Sequence, residues 1–333
     1  MKTILTRNGC FASAFDRSSL RYDLLLTALA LACFALPASA VPTGTPTGTP
    51  SPSLTPNPDA IYETNYQDNT VEEFSLDGSD LGTFATPVKP TGLVFDNAGN
   101  LYVSSDDIPD LVYSLLKFAP DGSFSVFANS SLASPHALVF DRVGNLYVAN
   151  NFGNTIERFT PEGVGTVFAD ATDGLASPLD LAWDTAGNLY VSNANGGPAH
   201  TGSVLKFTPD GVGSVFAENG FDTAYGLAFD SAGNLYVSNF SSSTIEKFSP
   251  EGVDLGVFAG SPGVNRPHGL LFDNAGNLYV ANNGNNTIEK FSSTGVDLGV
   301  FAHTGGGPHF MTMFRPTAMP YAVLPPPGAR RVR

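Results

Sequence analysis

The sequence predicts an all-β protein, a six-bladed β-propeller, and three observations carry that prediction. First, Gly-Asn-Leu-Tyr-Val recurs from Gly99, Gly144, Gly187, Gly233 and Gly276, at spacings of 45, 43, 46 and 43 residues. A fixed period of this size marks a repeat architecture. Second, each period holds four short apolar runs, in the last full copy HGLLF (268–272), NLYVAN (277–282), TIEKF (287–291) and LGVFA (298–302). Runs this short, separated by Gly, Pro, Asn and Asp, read as strands, and four of them with their turns make one blade. Third, the ends are complementary: residues 61–85 match the second, third and fourth runs, and 307–314 match only a first run. Pairing the N-terminal strands with the C-terminal strand completes a sixth blade and closes the ring. Closure removes exposed sheet edges, whereas an open solenoid would carry polar capping repeats.

In chain order, residues 1–40 read as a secretory signal peptide. Arg7, Arg17 and Arg21 precede the apolar run Leu24–Leu36, and Pro37-Ala38-Ser39-Ala40 supplies a small-residue cleavage pattern. The run is short for a membrane span. Cys10 and Cys33 both lie in this segment, so the mature chain is expected to lack disulfides, cysteine-ligated zinc and a thiol nucleophile. Residues 41–59, VPTGTPTGTPSPSLTPNPD, have no apolar periodicity and read as a Pro/Thr-rich linker. The propeller is expected over 60–314. The remainder, 315–333, reads as a disordered basic tail whose Pro325-Pro326-Pro327 and Arg330-Arg331-Arg333 are similar to a shortened sorting tail of exported bacterial proteins. The predicted location is therefore outside the cytoplasm: secreted, periplasmic or at the cell surface.

Composition supports the strand reading. The 35 Gly and 25 Pro disfavour long helices, while 25 Phe and 11 Tyr suit a pleated, half-buried surface. Net charge is −15, but both ends are basic, so residues 41–314 carry −21. A body that acidic repels phosphate backbones, and nucleic acid is not expected as a partner.

Strand order sorts the connections into two faces. One face carries the near-constant turns DNAGN (96–100), DRVGN (141–145), DTAGN (184–188), DSAGN (230–234) and DNAGN (273–277), with PDG or PEG turns beside them. Asp accepts backbone N–H groups in such turns and Gly takes the left-handed conformation, so this lower face reads as structural, with calcium binding the rarer use. The upper connections vary from blade to blade, which is where function usually sits on a constant scaffold. At the top of each inner strand one residue should face the channel mouth: Thr91, His136, Leu179, Tyr225, His268 and His309. The tops of the second strands place Asn150, Asn193, Asn239 and Asn282 nearby, and Asp180 follows Leu179. Converging imidazoles can ligate zinc. The plainer reading is that Pro-His at 135–136, 267–268 and 308–309 begins an inner strand, its imidazole bonded to neighbouring backbone. Likewise the loop holding Asp106, Asp107 and Asp110 could bind calcium or be a solvated loop. The Glu-Arg and Glu-Lys steps at 157–158, 246–247 and 289–290 are expected to make weak rim or inter-blade contacts.

Units of the form Pro-x-Gly-Leu-x-Phe-Asp-x-Ala-Gly-Asn-Leu-Tyr-Val-x-Asn, followed by Thr-Ile-Glu-Lys-Phe-x-Pro-Glu-Gly, resemble NHL repeats over about residues 60–314. The resemblance implies a propeller and leaves binding scaffold, lyase and lactonase-like hydrolase open. The histidine ring resembles that of peptidyl-α-hydroxyglycine amidating lyase, which would make His136, His268 and His309 zinc ligands and Tyr225 a catalytic tyrosine. By blade order, however, His136 lies opposite His268, whereas the lyase pattern is closer to alternate blades. Gluconolactonase-like propellers would use mouth Asn residues and an Asp such as Asp180 around a divalent metal, but no inner strand here starts with Glu. A streptogramin-lyase-like site would need a His/Glu pair that the sequence does not place. The leading expectation is a secreted, monomeric, non-catalytic module without a cofactor. Its upper face, through His136, Tyr225, His268, His309, Asn150, Asn193, Asn239 and Asn282, would bind a protein, peptide or glycan. The alternative is a lyase or hydrolase with one divalent metal, zinc or calcium, held by His136, His268 and His309.

Overall fold

The computed structural model describes residues 54–107, 112–197 and 202–315. Residues 1–40, read as a signal segment, residues 41–53 of the expected linker, Asp110 and residues 316–333 of the expected tail lie outside them. Six four-stranded antiparallel sheets account for nearly all regular structure. Blades 2 to 6 each use four consecutive strands. Their inner strands are Pro90–Phe95, Pro135–Phe140, Pro178–Trp183, Ala224–Phe229 and Pro267–Phe272. Blade 1 is composite. Pro308–Met313 pairs with Ala60–Asn65, which pairs in turn with Thr70–Ser75 and then Asp80–Ala85. The closure expected from the complementary ends is therefore present, with Ile61 opposite Met313 and Tyr62 opposite Thr312.

The repeat sequence explains this packing. In each second strand the Leu-Tyr-Val run, or Ile-Tyr-Glu in blade 1, is buried on both faces, because a blade lies against each side. The tyrosine is the wedge between blades. Tyr102 meets Phe127 of its own outer strand and Phe140 of the next inner strand edge-on, with centroids 5.1 and 5.0 Å away. Tyr62, Tyr147, Tyr190 and Tyr236 repeat the arrangement, with Trp183 serving as the second partner of Tyr147. Edge-on aromatic pairs of this kind contribute about 0.5–1.5 kcal/mol each beyond area burial.

The lower turns are built as the sequence implied. Asp96 Oδ1 accepts the N–H groups of Ala98 and Asn100, both at 2.9 Å, and Oδ2 accepts Asn100 Nδ2 at 2.6 Å. Gly99 takes φ +82°, and the pattern recurs at Asp141, Asp184, Asp230 and Asp273.

Two local expectations are corrected. The end of the Pro/Thr-rich segment is not free of the core: Leu54 and Pro56 are buried, and the Asn57 N–H donates to the Tyr62 hydroxyl at 2.5 Å. Nor do the Glu-Lys and Glu-Arg steps sit at a rim. Glu157, Glu246 and Glu289 are buried where blades 2 and 4 have Leu116 and Leu205. Burial raises all three carboxyls, Glu289 to about 7. The following Lys247 and Lys290 lie over Tyr236 and Tyr279 of their own blades, at 5.0 and 4.9 Å.

Candidate functional site

The inner strands place Thr91, His136, Leu179, Tyr225, His268 and His309 at one level, each the second residue of its strand. Backbone geometry fixes that level. The residue before each inner strand takes positive φ: Lys89 +44°, Ser134 +52°, Ser177 +53°, Thr223 +63°, Arg266 +47° and Gly307 +72°. Its carbonyl then accepts an N–H from the end of the second strand of the same blade or just beyond it. A hydroxyl on the second strand completes the hold by reaching across to the next blade. Thr64 Oγ1 donates to the Thr91 carbonyl, Ser104 Oγ to that of His136, Ser192 Oγ to that of Tyr225 and Ser238 Oγ to that of His268, at 2.5–2.7 Å. Blades 3 and 6 have Ala149 and Ala281 at this position, so Leu179 and His309 lack the tie. Neighbouring inner strands approach so closely that a Cβ on Gly226 would lie 2.2 Å from the His268 carbonyl oxygen.

Four of the six side chains converge. The rings of Tyr225 and His268 stack face to face, with centroids 4.0 Å apart and planes 5° apart. His309 meets His268 edge-on at 4.4 Å, and its Nδ1 lies 3.5 Å from the Tyr225 hydroxyl. His136 stands 6.3 Å from both Tyr225 and His309, measured between centroids. Tyr66, which the sequence reading did not single out, stacks on His309 at 5.2 Å and extends the cluster. Two cations lie over aromatic rings beside it: Lys89 over Tyr66 at 5.0 Å and Arg266 over Phe240 at 5.7 Å.

Burial sets the electrostatics. Desolvation holds the His136 imidazole down at about 4. His309 lies at about 3 for the same reason, helped by charge repulsion from His136, and His268 falls well below the ordinary range through burial, with repulsion from His309 and His136 adding to it. All three are neutral at pH 7. Buried Nδ1 atoms of His136 and His268 have no hydrogen-bond partner among the described residues, contrary to the expectation that these imidazoles bond to neighbouring backbone. Asp180 is bonded to backbone instead: it accepts the N–H groups of Leu181 and Leu227, each at 2.7 Å, while burial raises its carboxyl to about 7.

The four asparagines do not join the cluster. Asn150 Oδ1 accepts the Ala133 N–H at 3.2 Å and its Nδ2 donates to the Ser131 carbonyl at 2.9 Å. Asn193, Asn239 and Asn282 hold the entering loops of their own blades in the same way. Asp106 is buried rather than solvated and accepts a bond from Ser134 Oγ at 3.3 Å.

Metal ligation requires several ring nitrogens about 2 Å from one point. Among the described residues no three His, Cys, Asp or Glu side chains are grouped to hold an ion. The His268 ring is committed to the stack with Tyr225.

A closed ring of six four-stranded antiparallel sheets defines the class of protein. An NHL repeat is matched over residues 264–291. The chain is a six-bladed β-propeller in which this one stretch matches an NHL repeat. No curated protein sequence matches it. Among solved structures it is similar to a chain of a nidogen/laminin complex, at 17% identity and TM-score 0.67, covering 78% of this chain and 99% of that one. It is also similar to a gluconolactonase-like protein, at 20% identity and TM-score 0.56, covering 66% and 80%. A third similarity is to virginiamycin B lyase from Staphylococcus aureus, at 15% identity and TM-score 0.53, covering 71% and 72%. At these identities the likeness is one of fold.

Proposed function

We propose that this protein is a secreted, monomeric recognition module that binds a protein, peptide or glycan at the upper channel mouth without transforming it. The observation that carries the reading is the pair of buried, unpartnered imidazole nitrogens, His136 Nδ1 and His268 Nδ1, inside a cluster of neutral aromatic rings. A polar atom buried without a partner costs free energy that a hydrogen-bonding ligand recovers. Stacked Tyr and His rings offer flat surfaces to a planar or sugar-like group. Among the described residues no carboxylate bonds to and orients any of the three imidazoles, and their depressed basicity suits them to accept hydrogen bonds rather than shuttle protons at pH 7. A neighbour drawn from a two-protein complex, nidogen and laminin, supports protein recognition by this fold.

Peptide and glycan arrays probed with wild type and with His136→Ala/His309→Ala test the reading, with bound compounds recovered for mass spectrometry. Retention by wild type, loss in the variant and unchanged ligand mass are expected. Chemical conversion of a bound compound would overturn the non-catalytic reading. So would about one zinc per chain in untagged protein that disappears on replacing His136, His268 and His309.

A further inference from the structure

The opposite end of the channel has its own cavities. Two, of about 850 and 890 Å³, flank the side chains of Trp183 and Arg315, which line both. Their apolar walls come from the feet of the inner strands, chiefly Phe95, Trp183, Phe229, Phe272 and Phe314, all half-buried rather than packed away. The described residues end at this place. After Phe314, Arg315 donates to the Phe272 carbonyl at 2.9 Å, which fixes the backbone between the two cavities. The sequence continues from there as Pro316-Thr317-Ala318-Met319-Pro320-Tyr321-Ala322-Val323-Leu324-Pro325-Pro326-Pro327, then Arg330, Arg331 and Arg333.

We infer that the lower mouth is the docking site for the chain's own tail, with Met319, Tyr321 and Leu324 entering the cavities beside Trp183. Reach permits it: nine residues from 316 to 324 extend to at most about 30 Å, so the apolar group can lie in either cavity without leaving the mouth. Composition favours it, because a proline-rich segment is pre-set towards an extended conformation and loses little entropy on docking to an aromatic-lined groove. Charge favours it too. The tail from Arg315 carries +4 and the body it would lie on carries −21. Seating apolar side chains there removes from water a group of aromatic rings that the inner strands leave half-covered.

The chain has a single tryptophan, and it stands in this mouth, so it reports on occupancy directly. Acrylamide quenching of Trp183 is compared in the full chain and in Tyr321→Ser/Leu324→Ser, which alters no residue of the ring. At least a twofold rise in the quenching constant is expected in the variant, and equal constants would overturn the proposal. A photoreactive phenylalanine analogue at position 321 gives a second readout. Intrachain cross-links to the cavity walls are expected. Cross-links between two chains, or to sites elsewhere on the ring, would overturn docking of the tail in cis.

Discussion

Glu63 occupies a position where the other five blades have Val103, Val148, Val191, Val237 and Val280. It is fully buried, and neither carboxylate oxygen has a partner at conventional geometry, the His309 backbone and the Asn65 side chain being the polar groups nearest to assisting it. Desolvation, reinforced by Glu72, therefore raises its carboxyl well above the ordinary 4.5. Glu63→Val replaces it with the residue the repeat itself selects. Relieving an unsatisfied buried polar group recovers about 1–3 kcal/mol, and the valine methyls keep the apolar contacts of the slot. For a domain of this size that corresponds to about 2–4 °C in Tm per kcal/mol. The gain must also depend on pH. An acid whose folded pKa is raised binds its proton more tightly when folded, so wild type loses stability as pH rises from about 4.5 towards the folded value, and the variant does not. The stabilisation should be smallest at pH 4.5 and grow to a plateau above. Urea unfolding of both proteins at pH 4.5, 6 and 7.5 measures it. A destabilised variant at pH 7.5, or a gain that is flat across this range, would refute the reasoning.

Three further outcomes are expected from the same geometry. His136→Gln should change acid sensitivity: a histidine with folded pKa about 4 stabilises the fold fully above 6.5 and loses that contribution as pH falls towards 4. The wild type should therefore lose up to about 3 kcal/mol relative to the variant over that interval, an upper bound from about 1.4 kcal/mol per unit. Comparing variant with wild type is essential here, because Asp180 and Glu289, both raised to about 7, change stability in the opposite sense over the same range. Ser238→Ala removes the 2.7 Å bonds to the His268 carbonyl and from the Gly226 N–H, and should cost about 1–3 kcal/mol in chemical denaturation while loosening the Tyr225–His268 stack. Thr223→Gly relieves a β-branched residue at φ +63° and should raise stability by about 1 kcal/mol; a loss of similar size would show that Thr223 is not strained.

Much of the architecture was readable from the chain, because a propeller writes its strand register into a repeat. Aligning GNLYV locates five of the six second strands, and the missing and surplus runs at the ends show where the ring closes. The same alignment placed His136, Tyr225, His268 and His309 at one level. Side-chain destination is not written in the register, and there the reading failed. Asn150 and its counterparts fall beside the mouth in sequence order, yet their amides are taken up by loop backbone of the same blade, a pairing decided by loop conformation. Glu157, Glu246 and Glu289, in Glu-Arg or Glu-Lys steps expected at a rim or between blades, are turned inward by the third strand, and Lys247 and Lys290 are left over tyrosines. Tyr66 opens the turn after the second strand, where blades 3, 5 and 6 have Asn151, Phe240 and Asn283, so the repeat gave no reason to single it out. Glu63 could have been found, since aligning IYETN with LYVAN shows a carboxylate in the valine slot.

The most direct test of the upper mouth is a ¹⁵N NMR titration of the histidine rings in the full chain. His136 and His309 are expected to stay neutral well below pH 5, with midpoints near 4 and 3, and His268 to remain neutral with them. The His136 and His268 Nδ1 signals should shift when an array-identified ligand is added. Midpoints near 6.5, or ring signals already displaced by a bound metal, would contradict a mouth built of buried, neutral, ligand-accepting imidazoles.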